Sequence, residues 1–415
     1  MKIVVVGIGE VGHTAAKLFE KQEDFSEVIL CDINETKLQE AIEELDSFRF
    51  SIRKIDAQQT DSLVEVFKGA SVVFNFGYPH FNISIMEAAL LAGANYVDVS
   101  LNDDIADLLI EEKELPFHKE FKEAGLTALI TCGDSPGITN VITKHLCNKL
   151  DEVESVDYYL GFKHPGDSIE SELRPYVPVY SPRLELEDFA DPPLAFIDGE
   201  YKDLPLFANY QPHEFSEPVG KLNLSYHYHD EVATIPRMVG KKISKCTYSY
   251  PARPEVATIV MTGLAGTEPV DVKGVFVAPI DLVAAVAKTS LKDNIQANRK
   301  KSDDNASPLG FELAYEIHVK GNENGNPAKY TARWGMSTWV PTKELLMKNI
   351  ETLGSAVPTL QVSALSGARL ILAGETPSGV IAPESLDSAK FFSQMKKNGM
   401  PVKYRETVDR TMAME

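Results

Sequence analysis

The run Gly7-Ile8-Gly9-Glu10-Val11-Gly12 stands directly after an apolar stretch, residues 3–6, and directly before Ala15, Ala16, Leu18 and Phe19, which recur at helical spacing. Glycines at this spacing, on a turn from strand to helix, suit the holding of a pyrophosphate. Gly7 permits the tight turn, Gly9 lets backbone approach phosphate without a Cβ, and Gly12 lets helix and strand pack closely. The first N–H groups of the helix, around Glu10 and Val11, offer an anion unpaired donors and the positive dipole end. Twenty residues beyond Gly12, Asp32 ends the second apolar run. Its carboxylate can accept both hydroxyls of an adenosine ribose. It would also face a 2′-phosphate, and like charges roughly 4 Å apart cost about 4 kcal/mol at an effective dielectric near 20. NAD is therefore expected ahead of NADP. Ile33-Asn34-Glu35 brings no arginine for a second phosphate, although Lys37 lies one turn on. Asp32 or Asn34 could also cap the helix that opens at Glu35.

Other candidates follow later strands. Asp56, after the third, reads either as a neighbour of the adenine edge or as a solvated loop acid. Phe76, Gly77 and Pro79, after the fourth, would wall the nicotinamide half, and an ordinary strand-to-helix turn is the alternative. Asp98 and Ser100 close the fifth strand, where parallel sheets place their ligands; Asp98 could instead cap a helix at Asp103. Residues 133–140 open a helix. Pro136 suits a first helical position, the N–H groups around Gly137 could hold a carboxylate, and Asp134 or Ser135 could cap the turn.

Proton transfer at neutral pH calls for a group with pKa near 7, and His229, flanked by Tyr228, Asp230 and Glu231, is the natural candidate. His227 and His229 at i, i+2 would share a strand face, an arrangement compatible with a metal pair or a structural role. No cysteine or third histidine has ligand spacing beside them, so no metal is expected. Lys163 and Arg174 are cations able to bind a carboxylate, with solvation as the plainer role. Trp334 and Trp339 read as hairpin core.

The elements that must position these groups fall into two textures. Short β-branched runs at 2–6, 27–31, 50–55, 71–76, 96–99 and 126–131 alternate with stretches of helical spacing. Leu38, Ala41, Ile42 and Leu45, for instance, form one apolar stripe. The strands are apolar throughout, as a parallel sheet covered on both faces requires. The spacing predicts an α/β fold, a doubly wound Rossmann sheet over residues 1–134. An inserted α+β substrate domain with a mixed or antiparallel sheet follows over 135–350. It includes a helix at 138–150, strands at 155–162, 221–228 and 242–250, and a hairpin of 311–320 with 329–338 about an Asn- and Gly-rich turn. Helical spacing from 358 to 373 marks the segment 351–415 as a return to the first domain. A substrate is expected in the cleft between the two domains. The charged stretch 299–305 reads as a solvated loop.

The 415 residues carry 41 basic and 61 acidic side chains, a net charge of −20. Such an anion is repelled by nucleic-acid backbones and acidic membranes, which drop as partners. The chain enters its first strand at once, without room for a signal peptide, and no run approaches the length of a membrane helix. Cys31, Cys132, Cys147 and Cys246 have no paired spacing and read as free structural thiols. A cytoplasmic location is expected.

These motifs resemble the saccharopine dehydrogenase family. The likeness rests on Val72-Val73-Phe74-Asn75 through Pro79, on Tyr96-Val97-Asp98-Val99-Ser100, and on Gly133-Asp134-Ser135-Pro136-Gly137-Ile138-Thr139-Asn140. It extends to Tyr228-His229-Asp230-Glu231, to Thr234-Ile235-Pro236, and to the residues from Ser378 to Glu384. The resemblance implies an NAD(P)-dependent oxidoreductase acting on CH–NH or CH–NH2 donors of an amino acid or amine, often as a homodimer. A saccharopine- or lysine-type substrate comes first. The alternative is reductive condensation of a diamine with aspartate semialdehyde, as in carboxynorspermidine synthesis. Read from the residues themselves, the candidate catalytic set is His229 with Asp98 and Asp134. In one respect the chain departs: saccharopine-forming enzymes of fungi carry a loop resembling Gly-Leu-Asp-Pro-Gly, where this chain places its acid one position earlier, at Asp134. A dinucleotide-binding sensor without chemistry would share the same fold.

Overall fold

The structure is a computed structural model describing residues 1–163, 176, 178, 181–287, 312–335, 338, 342–355 and 357–411. Arg174, the stretch 299–305 and Trp339 lie outside the described residues. The chain opens with β1 (Lys2–Val6), α1 (Glu10–Glu20), β2 (Glu27–Asp32), α2 (Glu35–Glu43), β3 (Phe50–Lys54), α3 (Thr60–Phe67) and β4 (Val72–Asn75). Next come α4 (Asn82–Leu91), β5 (Asn95–Val97), α5 (Asp103–Ile110), α6 (His118–Glu123), β6 (Thr127–Leu129) and α7 (Ile138–Cys147). β1 and β4 are buried almost end to end, so their apolar runs serve both faces of the sheet.

The middle of the chain forms β7 (Glu152–Lys163), α8 (Pro182–Ala190), β8 (Leu194–Ile197), β9 (Glu200–Asp203), β10 (Gln211–Glu214), β11 (Lys221–Tyr226) and α9 (Asp230–Met238). Then follow β12 (Lys245–Pro251), α10 (Pro254–Met261), β13 (Val270–Val272), β14 (Val275–Val277), α11 (Pro279–Val286), β15 (Glu312–Glu323) and β16 (Asn326–Gly335). The chain closes with α12 (Lys343–Leu353), α13 (Thr359–Leu372), β17 (Gly379–Ile381), α14 (Ser388–Lys397) and β18 (Arg405–Arg410).

The first sheet is parallel, in the order β17-β6-β5-β4-β1-β2-β3. The chain runs outward through β1, β2 and β3, then crosses back to β4, so strand order reverses between β1 and β4, the place where such sheets bind ligands. The second sheet is mixed. Its strands run β10-β11-β12-β7-β15-β16-β18, with β8 on β12 and β9 on β8, and only β12 and β7 are parallel among these pairs. The β15–β16 hairpin turns at Asn324-Gly325, both with positive φ (52° and 76°), the backbone of a two-residue turn. The turn is shorter than its Asn- and Gly-rich sequence implies, because Gly321, Asn322, Asn326 and Pro327 join the ladder.

Two compact units emerge: Met1–Asp151, Ala233–Lys242 and Trp339–Lys403 form one, and Glu152–Val232, Ile243–Thr338 and Tyr404–Glu415 the other. They divide the chain differently from 1–134, 135–350 and 351–415. α7 buries Ile138, Val141, Ile142 and Leu146 and packs with α14, which carries the first unit on to Asp151. Residues 404–410 pair with β16 as β18, a polar strand without legible alternation, so the chain ends in the second unit. α13 is buried along most of its length and packs on α1 in the first unit.

Candidate active site

The glycine loop is built as its spacing requires. Gly7 has φ +86°, and a Cβ there would lie 2.5 Å from the Gly77 nitrogen. A Cβ on Gly12 would lie 1.9 Å from the Gly7 oxygen. At Gly9 a Cβ would meet nothing within 4 Å. Two glycines therefore serve the protein's own packing, while the middle one faces open space at the start of α1. That is the cradle a pyrophosphate needs, and the loop fits a dinucleotide. Glu10 and Val11 form the first turn of α1, where their backbone N–H groups have no intrahelical partner.

Asp32 ends β2 and braces this loop. One carboxylate oxygen accepts the Ile8 N–H at 2.7 Å and the other the Asn34 N–H at 2.8 Å. Asn34 is the helix cap, accepting the Lys37 N–H at 3.2 Å, so of the two candidates Asn34 caps α2. Each carboxylate oxygen keeps lone-pair capacity for a ribose hydroxyl. Lys54 stands opposite Asp32 on β3, its Nζ 3.8 Å from Glu35, a cation that the linear sequence set apart from this corner. Asp56 accepts the Gln58 N–H at 3.0 Å in the turn after β3.

A buried polar network joins the carboxyl ends of β4, β5 and β6. Asn75 accepts the Gly77 N–H at 2.9 Å and donates to Asn82 at 2.7 Å and to the Tyr96 hydroxyl at 2.9 Å. Asn82 donates to Asp98 at 3.2 Å and to the Ser100 carbonyl at 2.9 Å. Asp98 accepts the Thr131 N–H at 2.6 Å. Burial, and then the charge of Asp98, push the Tyr96 hydroxyl well above its ordinary pKa. Thr131 is a fully buried β-branched residue with φ +58°, a strained backbone that the Asp98 carboxylate holds. Asp98 is thus interior, at 1% exposure. It does not cap α5: Asn102 does, accepting the Ile105 N–H at 3.3 Å. Phe76 is buried beside Phe74, and Pro79 opens a short turn whose carbonyl accepts from Asn102 at 3.1 Å.

The loop after β6 folds back upon itself. A Cβ on Gly137 (φ +131°) would lie 2.0 Å from the Gly133 oxygen. The Gly137 N–H, expected to be open to a substrate carboxylate, donates to the Asn140 side chain at 2.8 Å, so this turn is capped from within the helix rather than by Asp134 or Ser135. Asn140 in turn donates to Thr234 at 3.1 Å and Glu384 at 3.0 Å, all three buried. Asp134 accepts the Thr359 hydroxyl at 3.0 Å, and Gln361, two residues on in α13, donates to the Val11 carbonyl at 3.4 Å. α13 therefore touches both the 133–137 loop and the glycine loop. Its role at the site had no sequence signal beyond helical spacing.

In the second unit, His229 and its neighbours form an acid–base arrangement. β11 ends at Tyr226, so His227 and His229 do not share a strand face; their rings are 6.4 Å apart. The two differ sharply. His227 is buried between Phe189 and Tyr250, and burial, then the positive charges of His229 and Arg253, hold its pKa well below the usual value. His229 is partly exposed, its Nδ1 hydrogen-bonded to the fully buried Glu231. Its ring stacks on Tyr248 with centroids 3.8 Å apart and planes 4° from parallel. Burial lowers its pKa, but the Glu231 carboxylate, with Asp230 and Asp188, outweighs that and raises it overall. An imidazole oriented through Nδ1 leaves Nε2 as the atom that gives or takes a proton. Lys163 ends β7, and Trp334 stacks on Tyr315 in the hairpin core. All four cysteines are buried free thiols, and burial pushes Cys31, Cys132 and Cys147 up to about 12.

A parallel sheet whose glycine loop is shaped for a pyrophosphate and followed by a distal acid, in a chain with a second, mixed-sheet unit, defines a two-domain dinucleotide-binding protein. Family models agree along nearly the whole chain. That of the saccharopine dehydrogenase NADP-binding domain matches residues 3–129, and that of the saccharopine dehydrogenase C-terminal domain matches residues 133–400. The chain belongs to the saccharopine dehydrogenase family and is an NAD(P)-binding oxidoreductase of that type. It is 23% identical to a carboxyaminopropylagmatine dehydrogenase of Synechocystis over 96% of both chains. It is also 23% identical to a carboxynorspermidine synthase of Vibrio cholerae over 58% of this chain and 61% of that protein. Among solved structures, the L-glutamate-forming saccharopine dehydrogenase of Saccharomyces cerevisiae superposes with a TM-score of 0.63 at 14% identity, covering 98% of this chain and 99% of that one. A homospermidine synthase of Legionella pneumophila, in complex with NAD, gives 0.57 at 14% identity, over 98% and 91%. Among the described residues no helix is long and apolar enough to cross a membrane.

Proposed function

We propose that this chain makes or breaks the C–N bond of an amino acid or amine, with NAD preferred over NADP. The observation that carries this reading is His229, an accessible imidazole held through Nδ1 by a buried carboxylate. Gly7, Gly9, Glu10, Val11, Gly12 and Asp32 would hold the dinucleotide at its phosphates and adenosine ribose, with Phe76, Gly77, Pro79 and Ser100 toward its other half and Asp56 near the adenine. A dinucleotide held there would supply hydride chemistry at a carbon bearing nitrogen. His229 exchanges the accompanying proton at Nε2. Its raised pKa keeps a larger share protonated near neutrality, which suits a donor in the direction that forms the C–N bond. Asp98 and Asp134 act by position: one fixes Thr131, the other ties the 133–137 loop to Thr359.

The first reading of the substrate is a saccharopine- or lysine-type amino acid, supported by the match to both saccharopine dehydrogenase family models. A second reading, a diamine condensed with an amino-acid semialdehyde, is supported by the end-to-end likeness to a carboxyaminopropylagmatine dehydrogenase. Incubating the protein with NAD and a panel of amino acids, and with NADH and semialdehyde–amine pairs, separates them by which mixture changes the absorbance of the reduced cofactor. Dinucleotide binding without turnover on any pair would overturn the proposal in favour of a sensor.

A further inference from the structure

His229 lies between the end of β11 and the start of α9, outside both elements, yet its ring is gripped on two sides. Glu231 takes Nδ1, and Tyr248 lies over the ring face with centroids 3.8 Å apart and planes 4° from parallel. Stacked ring carbons rest about 3.5 Å apart at closest, so the two rings are offset by at most roughly 1.5 Å. That is nearly a full sandwich, the arrangement that the quadrupoles of two neutral rings oppose. A cation over the same face is attracted to it. His227 supplies the contrast within the same site. Its pKa lies well below the usual value, and its neighbours Tyr250 and Phe189 stand tilted to it by 30° and 44°, at 4.9 and 4.4 Å.

The strand beneath gives Tyr248 a fixed seat. β12 is interior to the second sheet, between β11 and β7, and its register sets Tyr248 opposite Tyr158, whose ring stacks with it at 5.6 Å. Both tyrosines are buried. Two residues back on the same strand face, the Cys246 thiol donates to the Glu231 carbonyl at 4.0 Å. One strand therefore holds both the imidazole and the residue that orients it. Around this pair, Asp230 and, from α8, Asp188 add negative charge, and the His227 ring lies 6.4 Å away. Nearby charge favours the proton without setting the plane of the ring; the stack does both.

We propose that Tyr248 is a positioning residue for proton transfer by His229, its ring face carrying the imidazolium and fixing the plane in which Nε2 gives or takes the proton. This rests on His229 as the group that exchanges the proton. The test is an NMR titration of the full chain, isotope-labelled at the histidine Cε1, in which the His229 signal is the one lost in His229→Asn. Tyr248→Leu should lower the His229 protonation constant about 2- to 30-fold, a fall of roughly 0.4–1.5 in pKa. Tyr248→Phe keeps the ring and should keep the wild-type value. Tyr248 is buried, so the leucine variant carries a folding cost. Tyr248→trifluorophenylalanine keeps a ring of the same shape but drains its face of electron density, and it should titrate below Tyr248→Phe by at least about 2-fold. A purely structural tyrosine would change melting in Tyr248→Leu and leave the fluorinated comparison flat. Equal titration in the fluorinated and phenylalanine variants, a wild-type titration in Tyr248→Leu, or a loss in Tyr248→Phe as large as in Tyr248→Leu would each overturn the proposal. The titration needs neither substrate nor turnover, so its failure is distinct from failure of the C–N chemistry.

Discussion

Replacing Gly9 by alanine separates space kept for a ligand from space needed by the fold. Gly9 has φ −78° and ψ −162°, a conformation open to any residue, and the new Cβ would meet nothing within 4 Å. The apoprotein should therefore be as stable as wild type, or more so by about 0.4–1 kcal/mol through the loss of unfolded-state freedom. With a dinucleotide bound, the same methyl enters the volume of the pyrophosphate. Overpacking of this kind costs about 1–3 kcal/mol, which converts to roughly 5- to 150-fold weaker binding. Gly12→Ala supplies the contrast, because its Cβ would fall 1.9 Å from the Gly7 oxygen and the helix must shift before anything binds. The assay is NADH titration by fluorescence beside thermal melting of the apoprotein. Gly9→Ala should lose affinity without losing stability, and Gly12→Ala should lose both. A Gly9→Ala protein that binds NADH like wild type, or that melts earlier than wild type, would refute the assignment of this loop.

Other expectations follow from the same geometry. Asp32→Asn removes the charge and turns one of the two oxygens that accept from Ile8 and Asn34 into an NH2 donor, and should weaken NAD about 10- to 100-fold while NADP changes less, measured as paired dissociation constants; equal losses would reduce Asp32 to a loop brace. Glu231→Gln removes the charge that raises His229, so the protonated limb of the kcat profile in the C–N forming direction should move to lower pH; an unmoved profile would exclude His229 as the proton donor. Asp98→Ala should destabilise by about 2–4 kcal/mol in chemical denaturation, because Thr131 N–H and Asn82 would lose a buried acceptor. Burial raises the Glu316 carboxyl, but the nearby His213 ring at 3.6 Å, a hydrogen bond with His318 and the Arg333 guanidinium outweigh it and lower its pKa to about 2. A depressed carboxyl stabilises above its unfolded value of roughly 4.3 and loses that contribution as pH falls toward about 2. Glu316→Gln should flatten the acid limb of a stability–pH curve over that window, and an unchanged limb would show the cluster to be inert.

How far these features can be read from sequence depends on whether their cause is local. The glycine loop, Asp32 and the parallel strands were legible because turn sterics and strand burial are written in neighbouring residues. His229 stands out in the sequence through its type and its acidic neighbours. Glu231 as the specific orienting acid, and Tyr248 as the ring beneath, depend on the way α9 and β12 meet. The Asn75–Asn82–Asp98–Thr131 network was hidden because its members lie on separate strands and helices, and Asp98 consequently read as a ligand-facing acid. Asn140 overrode the expectation at Gly137 for a similar reason, since a cap from inside a helix looks like any buried asparagine. β18 was missed because Arg405–Arg410 carries no apolar alternation, its place being set by pairing with β16.

The central claim, hydride transfer to a carbon that becomes bonded to nitrogen, is tested most directly with NADH deuterated at the transferable C4 position. Supplied with semialdehyde–amine pairs and followed by mass spectrometry, the protein should yield a product in which one deuterium sits on the carbon of a new C–N bond, with His229→Asn slowing its formation at least about 100-fold. Deuterium recovered on a carbon bonded to oxygen, or in no product from any pair, would contradict it.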